Sequence, residues 1–162
     1  MSTLSVLARV DADSLRVEGT TESGYTIGFD RGGAEVPRTG PGPTEVVLAA
    51  LAACTAMDVA PILAKKRQQV RGYEIAVSGE QAEEHPKVFT RIVIEHRVVG
   101  DVTPEALRRS IELSATRYCP VSAMLSRAAT LEHRYRLWQD VAEGAGLTSR
   151  VAVTGPDDAI VD

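Results

Sequence analysis

The chain has 162 residues, 44% of them hydrophobic and 25% charged, a balance that excludes wholesale disorder and collagen-like repetition and leaves room for one main core. Eighteen Lys and Arg stand against 22 Asp and Glu, a formal charge of −4, which argues against a surface dedicated to nucleic acid. Two cysteines, Cys54 and Cys119, are too few for a disulfide-stapled secreted scaffold and show neither CxxC nor Cys/His zinc spacing. No charged n-region followed by an apolar run opens the chain, so no signal peptide is expected and a cytoplasmic protein with two thiols is the reading.

Residues 4–10, 15–19 and 25–29 are short runs separated by turn residues (Asp11, Asp13, Ser14; Ser23, Gly24), the pattern of three antiparallel strands. Residues 30–43 hold Gly32, Gly33, Pro37, Gly40 and Gly42, too many breakers for a regular element. A helix is expected over 43–69. Pro43 suits a first helical turn, and Glu45 sets a negative charge near the positive end of the dipole. Between Val46 and Leu63 only Thr55, Asp58 and Pro61 are not apolar. A membrane span is the competing reading by length, but the central Asp58 and the many alanines oppose it. A helix apolar on all faces is expected to be buried on all faces, and Pro61 to kink it.

Residues 73–80 alternate as a half-buried strand, 88–99 form a longer one, and 83–87 connect them. Thr103-Pro104-Glu105 is a helix start, followed by a stripe of Leu107, Ile111, Ser114 and Ala115. Cys119-Pro120 interrupts that helix, because the residue before a proline disfavours helical geometry. A short helix over 121–128 and a strand over 131–137 follow. Residues 138–162 lose periodicity and contain Gly144, Gly146, Gly155 and Pro156, so the expected organisation is one domain over 1–137 with a partly ordered tail.

Free cysteine is often only a small buried hydrophobe. Cys119 has more to offer: with Pro120 as first helical residue it becomes an N-cap, where backbone N–H groups and the helix dipole favour a thiolate. Cys54 is mid-helix with Asp58 one turn on, and a carboxylate there raises a thiol pKa. His85 belongs to a loop, and His96 and His133 to strands, at spacings that define no metal site. The glycine-rich loop lacks the lysine and hydroxyl sequel of a phosphate loop.

The run Gly42-Pro43-Thr44-Glu45-Val46-Val47-Leu48-Ala49-Ala50-Leu51-Ala52-Ala53-Cys54-Thr55-Ala56-Met57-Asp58-Val59 resembles the first signature of the OsmC/Ohr family, and Tyr118-Cys119-Pro120-Val121-Ser122 resembles its second, Cys-Pro-x-Ser. The resemblance implies an α+β fold, antiparallel sheets wrapped around a long central buried helix, in an intertwined homodimer. It also implies thiol-dependent reduction of organic hydroperoxides without metal or flavin. Cys54 would be the peroxidatic nucleophile, Cys119 the resolving thiol, and an external dithiol the reductant. A glutamate, here Glu45, would hold an arginine that favours the thiolate; Arg38 is nearest, with Arg31 and Arg16 as alternatives. Nine residues of ideal helix between Glu45 and Cys54 rise about 13.5 Å and turn Glu45 away from its own chain's thiol, so it would serve the partner's cysteine or depend on the Pro61-containing helix being irregular. Thr55-Ala56-Met57-Asp58 stands where the best-characterised peroxidases carry a large apolar residue after the cysteine, which resembles a less-characterised branch. The alternative is a module of the same fold that binds a small hydrophobic ligand without turnover.

Overall fold

In the computed structural model, which describes residues 2–32, 37–139 and 146–156, the chain divides into two units, Met1–Val47 and Leu48–Asp162. The first is a three-stranded antiparallel sheet of β1 (Val6–Val10), β2 (Val17–Thr21) and β3 (Thr26–Phe29). Asp11 closes the β1–β2 turn, its carboxylate accepting the N–H groups of Asp13 and Ser14. Asp30 anchors both ends of the glycine-rich loop: it accepts the N–H of Gly32, then the N–H and hydroxyl of Thr39. Those bonds, the Gly32 N–H foremost, pull its pKa down to about 2.

Helix α1 (Pro43–Lys65) leads from the first unit into the second. Glu45 reaches back to accept the N–H of Gly42 at 2.6 Å, half of a capping box at the helix start. The helix continues through Pro61 and stops at Lys65 rather than near 69. Arg67 adopts a left-handed φ of 56°, and the N–H groups of Arg67 and Gln68 donate to Ala64 and Leu63. That is a Schellman stop, made without glycine.

The second sheet runs β4 (Gln69–Gln81), β5 (Phe89–Asp101), β6 (Thr130–Trp138), β7 (Leu147–Thr154) in spatial order. Its outer pairs are antiparallel, whereas β5 and β6 are parallel, Ile94 opposite His133. The sheet is therefore mixed rather than purely antiparallel. Parallel neighbours need a long crossover, here α2 (Pro104–Leu113), a π-helical turn over Ser114–Tyr118 and α3 (Pro120–Leu125). Thr103 caps α2, its hydroxyl accepting the N–H of Ala106. One core joins Val59 and Leu63 of α1 to Val98, Ile111, Tyr135 and Leu137; a second joins Leu51 to Ile92, Ile94, Leu131 and Cys119.

Within the expected partly ordered tail, residues 147–154 form an edge strand, β7, whose Val151 and Ala152 are buried. Gly144 lies outside the described residues. One expectation, burial of α1 on all faces, changes. Helix α1 is buried on one row only, Leu51, Thr55, Val59 and Leu63, while Met57 is 77% exposed. A single sheet covers a single face.

Candidate functional site

Cys54 projects from α1 one position before the buried Thr55, and Cys119 sits at the junction between the π-helical turn and α3. Their sulfurs are 2.9 Å apart, both as free thiols. The junction explains the placement. The π-helical turn ends at Tyr118, Pro120 forces Cys119 into extended geometry (φ −74°, ψ 106°), and the side chain turns back as N-cap of α3. The Ser122 N–H donates to its sulfur at 3.3 Å, and the Thr55 hydroxyl lies at 3.9 Å. Cys119 is 2% exposed, Cys54 half-buried.

Burial, the neighbouring Cys119 thiol and the Asp58 carboxylate together push the Cys54 thiol up to about 11, against a smaller lowering by the Val121 N–H. The thiol is therefore held protonated at neutral pH. The carboxylate of Asp58 is held by the Ser114 hydroxyl at 2.9 Å. One carboxylate oxygen of Asp58 and the two sulfurs all lie within 4.8 Å of one another. Local motif spacing does not reveal this trio, because the crossover brings Cys119 from another part of the chain.

Further along the same sheet face, the Tyr73 hydroxyl meets His96 Nδ1 at 2.8 Å, and the His96 and His133 rings stack at 5.9 Å. Both histidines are fully buried, and burial holds both neutral, His133 down to about 4. Burial, then Asp58, drives the Tyr73 hydroxyl far above its ordinary range. His85 is exposed in the β4–β5 connection. Ser114, Thr55, Tyr73 and the histidine pair were not singled out as site residues from the sequence. The available signals were a serine just beyond α2 in line with its apolar stripe and histidines at core-facing positions of two strands.

Within the first unit, Arg38 forms an ion pair with Glu45, and both side chains remain about half exposed. Its guanidinium, then the Gly42 N–H, lowers the Glu45 pKa. Arg16 pairs instead with Asp30 at 3.4 Å, and Arg31 is exposed. The structure thus joins the thiols to each other and Arg38 to Glu45, each pair within its own unit.

A family model described as OsmC-like protein matches residues 32–134. The protein YhfA of Escherichia coli K12 is 36% identical over 126 residues, 77% of this chain and 92% of YhfA. The crystal structure of a hypothetical protein from Aquifex aeolicus VF5 superposes with a TM-score of 0.75 at 29% identity, covering 86% of this chain and all of that one (100%). The organic hydroperoxide resistance protein OhrB of Bacillus subtilis shares the fold with a TM-score of 0.60 at 16% identity, over 83% of this chain and 98% of its own.

Proposed function

The chain belongs to the OsmC-like protein family, and from that premise we propose that it is a cysteine-based peroxidase that reduces organic hydroperoxides. The observation that carries the reading is the 2.9 Å approach of two free sulfurs, one half-buried beside an apolar core and one capping a helix. In this reading the Cys54 thiolate attacks the peroxide O–O bond, taking one oxygen as a sulfenic acid while the other leaves as alkoxide and is protonated to the alcohol. The Cys119 thiol then attacks the sulfenic sulfur, water departs and a disulfide forms. An external dithiol restores both thiols by exchange, its own sulfurs becoming the disulfide.

A thiol raised to about 11 needs help to ionise. Arg38, held by Glu45, is the group proposed to supply it, from a second copy of the chain in a cytoplasmic homodimer. Support for the second copy comes from the uncovered apolar residues Met57 on α1 and Val6, Leu7 and Val10 on β1.

The test is a count of thiols before and after one equivalent of an organic hydroperoxide, with metal chelated. Loss of two thiols per chain, abolished in Cys54→Ser and slowed in Arg38→Ala, is the expected result. No acceleration over a free-thiol control overturns the enzyme reading and favours a non-enzymatic module that binds a small hydrophobic ligand beside Cys54.

A further inference from the structure

Two sulfurs and a carboxylate meeting in one place have a chemistry of their own, apart from peroxide. Cys54 Sγ, Cys119 Sγ and an Asp58 carboxylate oxygen lie within 4.8 Å of one another, the first and last from α1 and Cys119 from the junction of the π-helical turn with α3. We propose that this trio is a binding site for a thiophilic divalent cation, Zn2+ in chemical type, held by Cys54, Asp58 and Cys119 with a fourth position open to solvent.

The geometry fits a tetrahedral ion after small side-chain movements. Zinc bound to thiolate at about 2.3 Å and to carboxylate at about 2.0 Å sets sulfurs about 3.8 Å apart and each sulfur about 3.5 Å from the oxygen. The sulfurs at 2.9 Å must part by a little under 1 Å, and the carboxylate oxygen, within 4.8 Å of both sulfurs, must close by at most about 1.3 Å. Cys54 and Asp58 are a helical turn apart on one face of α1 and only half-buried, so both side chains have room to adjust and solvent can reach the fourth position.

The surroundings are those of a ligand set rather than of three accidental neighbours. The Ser114 hydroxyl fixes the orientation of the Asp58 carboxylate. The Ser122 N–H and the Thr55 hydroxyl point at the Cys119 sulfur. Donors behind ligands are what orient them and stabilise their charge. Two soft sulfurs select against magnesium and calcium, which take oxygen sets. Binding converts two thiols into two thiolates, so two protons leave for each cation taken up. It also excludes the disulfide, which needs the sulfurs at about 2.05 Å. A bound cation would therefore hold the pair reduced and block it from oxidants.

This inference does not depend on the peroxidase reading, whose thiol count is made with metal chelated. The experiment is anaerobic titration of the reduced full chain with Co2+ as a coloured stand-in, followed by displacement with Zn2+. Expected are one ion per chain, a thiolate-to-cobalt charge-transfer band, and no band in the same protein after diamide oxidation. Cys54→Ser and Cys119→Ser should lose the two-thiolate intensity, and Asp58→Asn should weaken binding by roughly tenfold or more. Without any variant, saturating Zn2+ should slow iodoacetamide alkylation of both thiols, and EDTA should restore it. A reduced wild-type protein with no band, a band of undiminished intensity in Cys54→Ser, unchanged affinity in Asp58→Asn, or alkylation indifferent to Zn2+ would overturn the site.

Discussion

Cys54 owes its character to what surrounds it more than to its place in a signature. Burial, the second thiol and Asp58 all hold its proton on, with the thiol pushed up to about 11. Asp58→Asn removes the charge while leaving an acceptor for the Ser114 hydroxyl, so the Cys54 pKa should fall. Alkylation of Cys54 by iodoacetamide near pH 8, in chelator, should then accelerate several-fold, because the thiolate is the reacting species. An unchanged rate would mean that burial and the second thiol set the value without Asp58. The pairing of Cys54 with Asp58 was legible in the sequence, because positions four apart share a helix face. Ser114 was not, since its partner Asp58 is 56 residues away and only docking of the crossover joins them.

Elements were legible where a stop or start signal is local. Thr103 as cap and Pro104 as first helical residue appear as expected, and Thr103→Ala should cost about 1 kcal/mol in denaturant unfolding. The three opening strands were legible from the turn residues that separate them, whereas β7 was not, because its short run of Val and Thr is specified by pairing with β6 rather than by flanking turns. The shared face of β5 and β6 carries a cost of its own. His96 and His133 are fully buried, and neither nitrogen of His133 has a hydrogen-bond partner among the described residues. A histidine whose folded pKa is depressed gives stability that is present above its unfolded value near 6.5 and is lost as pH falls through the folded value. For His133 that window runs from about 6.5 down to about 4, worth roughly 3 kcal/mol across it. His133→Leu should flatten the acid limb of stability measured by urea unfolding at successive pH values, with no loss at pH 7. An unaltered limb would assign the acid sensitivity elsewhere.

At the scale of the whole molecule, the sequence signalled how apolar α1 is but not how it is covered. An eighteen-residue apolar run demands burial, yet one chain buries only the row from Leu51 to Leu63. Hydrophobicity states that cover is needed and is silent on which chain provides it. A homodimer is the proposed answer, and it predicts dimer mass by sedimentation at submicromolar concentration. Met57→Asp, a charge set on a residue 77% exposed in one chain, should shift that equilibrium toward monomer by tenfold or more if Met57 is covered by the second copy. A folded wild-type monomer with fully reactive thiols at that dilution would refute the assembly.

The two thiols stand 65 residues apart in sequence, and the segment between them contains most of α1's second half, β4, β5 and α2. Joining the sulfurs would tie that whole stretch into a ring. A ring of this size removes enough freedom from the unfolded chain to stabilise the fold by about 4 kcal/mol in the loop-entropy model, a rise of roughly 10 °C in melting temperature. Thermal endurance would then record the redox history of the molecule: a cell extract heated briefly and then centrifuged would retain the oxidised form in solution and lose the reduced one.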